Sequence, residues 1–363
     1  MTTLHAHTRD AAQEGFDDAC KVAKTQHQMG LETRYPHRRK WYRTTTWKSI
    51  GLRLRDGGLW LSRARGLAPI RVALPADLSA YPAYAYKQVK LVWDQAARHY
   101  TWHITIEDGA EPVPTPGSHV VAVDRGESRP AALTDGREAV VITARRLRAT
   151  RQYTAKCLSE LQAKQSGKTK GAGRWKRLQR RKHRFLAQQQ RRRTHDIEHK
   201  VSRAVVDWAV ECQASTLAVG DMRDVADGKR MGAQSQQKIG LWSQGKMRWY
   251  LIYKAQAAGI QVELVGEHGT SKTCPRCRRQ YKPTGRVYRC PKCGLVAHRD
   301  VVGSVNILSR KLHGELAMNL PPALSATMSR YAAWVSQQGK RSRPDTPELA
   351  RACVVPRREA AGL

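Results

Sequence analysis

Cys274, Cys277, Cys290 and Cys293 make two CxxC knuckles, CPRC and CPKC, separated by about a dozen residues. Thiolates bind Zn²⁺ tetrahedrally and each knuckle presents two sulfurs to one ion, so the spacing predicts a four-cysteine zinc ribbon. Pro275 and Pro291 stiffen the knuckles, and Gly294 permits the tight turn after the second. Two disulfides would use the same cysteines. Nothing else in the chain suggests secretion, and Cys20, Cys157, Cys212 and Cys353 lack pairing-like spacing. Four protein ligands leave no position for water, which makes the zinc structural. Acids stand on both sides of the ribbon: Glu267 precedes it and Asp300 follows it in HRDVVGSVNI. A further acid, Asp124, ends the apolar run HVVAVD. Taken singly, Asp124 reads as a strand-end turn residue and Asp300 as a helix N-terminal acid favoured by the dipole.

The elements that must position these groups follow from the hydrophobic pattern. After a Pro/Gly-rich linker, GAEPVPTPGS, residues 119–124 read as a buried strand closed by Asp124 and followed by Gly126. Residues 129–133 and 138–142 continue a meander through the turn Thr134-Asp135-Gly136. A carboxylate on a first strand with two antiparallel strands behind it is the opening of a ribonuclease-H-like fold, where carboxylates on neighbouring elements converge on divalent metal ions. Residues 196–213 read as a helix with Ile197, Val201, Ala204, Val205, Trp208 and Cys212 on one face, packed on a sheet. Strands follow at 216–219 and 260–265, with a helix at 247–259 between them and a loose segment at 222–240. Asp300 falls in the first turn of a helix whose apolar face carries Val301, Val302, Val305 and Leu308.

Charge narrows the partner. The 363 residues carry a formal net charge of +35, with a sequence pI near 10.5. Such an excess fits a polyanion, whose phosphates Lys and Arg neutralise. It is densest at 145–193, a helical region broken once at 166–173, where Arg174, Lys176, Arg177, Arg180, Arg181, Lys182 and Arg184 have almost no acids as i,i+4 partners. A merely solvated helix would intersperse acids, so these residues are candidate nucleic-acid contacts. Residues 41–107 alternate like short strands, with Asp56-Gly57-Gly58 as a hairpin turn and Ile50, Leu52 and Leu54 facing one way. That region reads as a small β-barrel with either a solvated basic face or one that grips a nucleic-acid backbone. A helix is expected at 10–29 and a short one at 328–334, in an otherwise patternless tail. No apolar run approaches the ~20 residues that span a bilayer, and the N-terminus is no secretory signal.

The pieces VVAVDRG, TLAVGD, YKAQAAGIQVELV, TSKTCPRC, YRCPKCG and HRDVVGSVNI together resemble the TnpB family of transposon-encoded, OrfB-type RNA-guided nucleases, relatives of the type V CRISPR effectors. The resemblance runs from about residue 41 to 310. It implies an α/β fold: an RNase H-like (RuvC) nuclease domain with an inserted zinc ribbon, preceded by a small β-barrel (wedge-like) domain and basic helices. The expected boundaries are a short helical segment at 1–40, a wedge-like domain at 41–108, a linker at 109–118 and the RuvC-like domain at 119–270. The ribbon is expected at 271–296, the last RuvC helix at 297–312 and a tail at 313–363. The implied partners are a guide RNA and target DNA. The implied chemistry is Mg²⁺-dependent hydrolysis of DNA phosphodiester bonds, with Asp124 and Asp300 at matching catalytic positions.

Two departures stand out. Family members commonly carry Glu where this chain has Gly220. Three readings remain open: Glu267 supplies the third carboxylate from a displaced position, Asp221 supplies it, or the site is incomplete. Only about forty residues precede the matched region, so a truncated or late-annotated recognition segment is the second departure. The functional expectation is an RNA-guided DNA endonuclease; the alternative is a nuclease-inactive guided DNA-binding protein, such as a repressor or decayed transposon copy. A zinc-ribbon transcription or RNA-processing factor leaves Asp124 and Asp300 unexplained. The expected location is the prokaryotic cytoplasm, on the nucleoid when bound to DNA.

Overall fold

The computed structural model describes residues 3–30, 33–36, 44–94, 99–111, 117–185, 191–222 and 232–316, with the backbone of 325–330. These fall into two units, one within Met1–Glu111 and one within Pro112–Pro344.

The first unit opens with α1 (Ala6–Gln28), which starts earlier than the pattern predicts because the His5 ring accepts a hydrogen bond from the His7 amide and caps the helix. Two three-stranded antiparallel sheets follow. One orders β1 (Thr45–Lys48), β5 (Tyr86–Asp94) and β6 (His99–Ile106) with β5 central; the other is the meander of β2 (Leu52–Arg55), β3 (Gly58–Leu61) and β4 (Ile70–Ala73). A single helical turn, α2 (Ala76–Ser79), lies between β4 and β5. The β2–β3 hairpin turns on Asp56 and Gly57, with φ of 49° and 65°, the paired left-handed geometry that matches strand twist. Trp47, Leu52, Leu59, Leu61, Val72, Tyr86 and Val89 form one buried cluster from both sheets. A closed barrel would need pairing between the sheets, and no such pair occurs among the described residues. Ile50, expected to point inward, is exposed, because residues 49–51 form a 3₁₀ turn that breaks the alternation before β2.

The second unit is an α/β layer structure. Its sheet has the order β11-β10-β7-β8-β9-β14, built from β7 (His119–Asp124), β8 (Ala131–Thr134), β9 (Glu138–Thr143), β10 (Ala214–Asp221), β11 (Gln261–Gly266) and β14 (Ser325–Arg330). β7, β8 and β9 are antiparallel neighbours, whereas β10 runs parallel to β7 and β11 parallel to β10. The basic helices α3 (Arg145–Ser166) and α4 (Gly173–Phe185) precede α5 (Arg193–Glu211). α6 (Ala233–Gly240) and α7 (Gln244–Ala257) then link β10 to β11. α5 and α7 cover one face, where Val201, Val205, Trp208 and Leu251 pack on Val121, Val123, Leu217 and Val219. The other face is covered by α8 (Arg299–His313), through Ile307 and Leu308 against Ala122, Ala218 and Val265, and through Val301 and Val305 against Ala132 and Val141. The ribbon hairpin of β12 (Val287–Arg289) and β13 (Val296–His298) leads directly into α8.

Two expectations need correction. The segment predicted loose at 222–240 contains α6; residues 223–231 lie outside the described residues. Of the helix predicted at 328–334, the described residues 328–330 belong instead to a strand, Ser325–Arg330, in parallel register with β9 from Ser325↔Glu138 to Arg330↔Thr143; residues 331–334 lie outside the described residues. No helix among the described residues is long and apolar enough to cross a membrane.

Candidate active site

Strand register decides which side chains meet. β10 pairs with β7 as Ala218↔Ala122 and Val219↔Val123, and with β11 as Ala218↔Glu263 and Gly220↔Val265. Ala122, Ala218 and Val265 all face α8. Side chains alternate along a strand, so two residues further on, Asp124, position 220 and Glu267 share that face, and Asp221 belongs to the other.

Glu267 stands one residue past β11 and its side chain leans back over Gly220. A Cβ placed on Gly220 would lie 1.9 Å from Glu267 Oε1 and 2.7 Å from Cδ. The carboxylate therefore occupies the space a side chain at 220 would enter. Its Oε1 is buried and has no hydrogen-bond partner among the described residues. Gly303 on α8 makes a matching allowance on the other side, since a Cβ there would sit 2.2 Å from Asp124 Oδ2. Asp300, in the first turn of α8, is held at the helix start by its amide, which donates to His298 Nδ1 at 3.2 Å. Its carboxylate takes Arg286 Nη1 at 3.2 and 3.3 Å on its two oxygens, with Arg129 Nη1 at 3.6 Å.

The carboxylates influence each other's charge. Burial, then the neighbouring Glu267 and Asp300, hold Asp124 well above the ordinary carboxylate range, against the pull of Arg125 and Arg299. Burial pushes Glu267 up to about 7, opposed by Arg125 and reinforced by Asp221. Arg125 is buried and donates to Gly220 O at 2.9 Å and Gln244 O at 3.0 Å, pinning the strand end beneath the acids. Three carboxylates, one with a buried oxygen that has no hydrogen-bond partner among the described residues, fit a hard divalent cation such as Mg²⁺. They are not drawn into a tight cluster, however. Among the described residues, only the four cysteines bring donor atoms from three or more His, Cys, Asp or Glu residues within 4.8 Å of one another.

That cysteine cluster is compatible with zinc. Cys274 Sγ lies 3.6 Å from Cys293 Sγ, and Cys277 Sγ 3.4 Å from Cys290 Sγ. The knuckles repeat one device: Arg278 N donates to Cys274 O at 2.9 Å and Gly294 N to Cys290 O at 3.0 Å, with φ of 61° and 70°. Val302 of α8 packs against Cys274, Tyr288 and Cys290, so the ribbon core continues into the helix that carries Asp300. Asn306 adds a polar tie, donating to Thr270 O at 2.6 Å and Thr273 O at 2.8 Å.

The seven cations singled out by charge all lie on α4. Arg174, Lys176, Arg177, Arg180, Arg181 and Arg184 are exposed, and none of the seven is in an ion pair among the described residues. Lys182 is half-buried and donates to Gln165 Oε1 at 3.3 Å, helping join α4 to α3.

Two family descriptions match the chain: "Probable transposase" over residues 103–226, and "Cas12f1-like, TNB domain" over residues 245–307. A "TnpB-like protein" of Methanocaldococcus jannaschii is 28% identical over 123 residues, 33% of this chain and 44% of that one. Over these regions the chain is similar to TnpB-like proteins. A "CRISPR-associated endodeoxyribonuclease Cas12f1" of Sulfoacidibacillus thermotolerans is 29% identical over 112 residues, 30% of this chain and 25% of that one. The matched regions thus span less than half the length of these curated relatives. A cryo-EM structure of a Cas12f1–sgRNA–target DNA complex aligns with a TM-score of 0.48 at 12% identity, covering 79% of this chain and 68% of that one. In this chain Asp124 and Gly220 fall in the transposase region, whereas Glu267, the four cysteines, Asp300 and Gly303 fall in the TNB region.

Arg125, Arg129, Arg286, Gly303 and Asn306 were not singled out as site residues by sequence. Arg125 and Gly303 sit inside the motifs VVAVDRG and HRDVVGSVNI, but a close approach or an ion pair across the fold leaves no local signal.

Proposed function

We propose that the protein is an RNA-guided DNA endonuclease whose carboxylate site is Asp124, Glu267 and Asp300. One observation carries the reading: Glu267 reaches the space above Gly220, on the face that holds Asp124. The strand order, with an antiparallel β7–β8–β9 meander and parallel β10 and β11, supports an RNase H-like (RuvC) nuclease with the zinc ribbon inserted before α8. The endodeoxyribonuclease name of one relative supports the reaction class. The excess of +35 and the α4 cations, which have no acidic partner among the described residues, support a guide RNA and its target DNA as partners.

Asp124, Glu267 and Asp300 would hold Mg²⁺, which when bound lowers the pKa of water and stabilises a departing oxygen. The chain's own part is to set Asp124 and Glu267 on one face at the end of a buried sheet, under the helix that carries Asp300, and to hold both well above the ordinary carboxylate range. Arg125 fixes the strand end beneath them, and Arg286 and Arg129 balance the charge of Asp300.

The second reading, guided binding without cutting, is favoured by the ion pairs on Asp300 and by the looseness of the acid cluster. Purifying the full chain with its bound RNA, sequencing that RNA and supplying a matching duplex with Mg²⁺ separates the two. Cleavage supports the endonuclease; tight guided binding with an intact duplex supports the binder.

A further inference from the structure

We propose that Arg310 is a positioning residue: it sets Glu267 in place and thereby tunes the affinity of the acid site for a divalent cation. The proposal rests on the reading of Glu267 as a ligand. Glu267 lies beyond the end of β11, where the strand ladder no longer fixes the backbone. Arg310 supplies the missing restraint. Its two terminal nitrogens donate to the carbonyls on either side of Glu267, Nη1 to Gly266 O and Nη2 to His268 O, the latter at 2.8 Å. Among the described residues Arg310 forms no ion pair, so both of these recorded contacts serve the backbone around one acid. Thr270 holds the far side, donating its amide at 3.2 Å and its hydroxyl at 2.9 Å to Glu267 O.

Position on α8 explains how one helix can serve all three acids. Asp300, Gly303, Ile307 and Arg310 follow the three- and four-residue steps of one helix face, with Asn306 beside them, and Asp300 and Arg310 lie about 15 Å apart at 1.5 Å per residue. At one end the stripe carries an acid, then leaves room for Asp124, then ties residues 270 and 273, and finally clasps the peptide groups around Glu267. A guanidinium with a planar fork suits two carbonyls two residues apart; a lysine ammonium reaches one.

The test is Mn²⁺ titration of the full-length protein, followed by the EPR signal of the free ion, for wild type, Arg310→Ala, Arg310→Lys, Glu267→Ala and the Arg310→Ala/Glu267→Ala double variant. Arg310→Ala is expected to weaken Mn²⁺ binding by about 10- to 100-fold, the usual cost of losing a group that orients a ligand. Arg310→Lys should recover part of that loss, and covers the case in which the alanine variant does not fold. In the Glu267→Ala background, Arg310→Ala should cost nothing more, because the acid it positions is gone. Unchanged Mn²⁺ affinity in both Arg310 variants, with loss in Glu267→Ala, overturns the proposal and leaves the acid assignment standing. An equal further loss in the double variant also overturns it, since Arg310 would then act through the fold at large. Wild-type affinity in Glu267→Ala removes the ligand reading, and the proposal with it.

Discussion

Gly220 and Glu267 compete for one space: a Cβ on Gly220 would lie 1.9 Å from Glu267 Oε1, so the two positions cannot both carry a side chain in this arrangement. In the proposed site the third acid stands just past the strand beside that of Gly220, with its carboxylate on the face of Asp124. Glu suits this place better than Asp, because its extra methylene spans the added distance from beyond the strand end.

The shared space predicts how activity depends on the two acids. Glu267→Ala should lower guided cleavage at least about a hundredfold, the scale on which metal affinity responds to loss of even an orienting group. Asp221→Ala should retain most of the activity, since Asp221 alternates to the opposite face. Because the space at 220 is freed only when Glu267 is shortened, Gly220→Glu should recover cleavage in the Glu267→Ala background and impair it in wild type. Full activity in Glu267→Ala would falsify the assignment.

Proton binding supplies a second prediction. Glu267 is raised from 4.5 to about 7, so between those values the folded chain holds a proton that the unfolded chain has released. Stability therefore falls as pH rises through this window, by up to about 3 kcal/mol. Metal binding needs the ionised acid, so cleavage should rise over the same range. Glu267→Gln separates the effects: melting at pH 8 without divalent metal should occur a few degrees higher than in wild type, while cleavage is lost. A melting temperature below wild type at pH 8 would count against a buried, repelled carboxylate.

Much of this site was legible in the sequence, for reasons that differ by residue. The cysteines announce themselves because zinc demands a fixed donor type at short spacing, and the structure gathers their sulfurs. Asp124 and Asp300 stand at the ends of strongly patterned elements. Glu267 could be named but not separated from Asp221, because the choice depends on which face each strand end presents, and that is set by pairing between strands some forty residues apart. Gly303 and Arg310 were silent, since their importance lies in what approaches them across the fold. Residues 328–330, read as the start of a helix, lie in β14, whose pairing with β9 joins stretches almost two hundred residues apart and leaves no local signal.

Gly303 provides a test of the shared geometry without touching any acid. A methyl group there would meet Asp124 Oδ2 at 2.2 Å, so either α8 or the carboxylate must shift. Overpacking of this kind costs about 1–3 kcal/mol. Gly303→Ala is expected to fold with a lowered melting temperature, to retain guided DNA binding, and to lose most cleavage. Unchanged cleavage would show that Asp124 tolerates displacement.

Zinc removal should act at a distance from its ligands. Val302 shares the buried cluster of the ribbon, so loss of the metal loosens the wall behind the first turn of α8, next to Asp300. Cys274→Ser, or chelation, should release one zinc per chain, lower the melting temperature and reduce cleavage together. Retained cleavage after complete zinc loss, measured by atomic absorption, would separate the ribbon from the acid site.

The proposed role of the α4 cations concerns affinity rather than chemistry. Arg180 and Arg181 are exposed and have no acidic partner among the described residues, so internal ion pairing does not account for them. If each meets one phosphate of a bound strand, Arg180→Ala/Arg181→Ala should weaken nucleic-acid binding and flatten its salt dependence. The expected change in the slope of log K against log salt is about 1.4 for single-stranded and about 1.8 for duplex contacts. Fluorescence anisotropy on a labelled RNA and on the matching duplex, repeated from low to high salt, measures both quantities. Loss of affinity with an unchanged slope would mean that the arginines act through packing of α4 on α3, where Lys182 and Gln165 already form the join. An unchanged affinity would return the run to a solvated helix face, and the search for the backbone contact would move to the strands of the first unit.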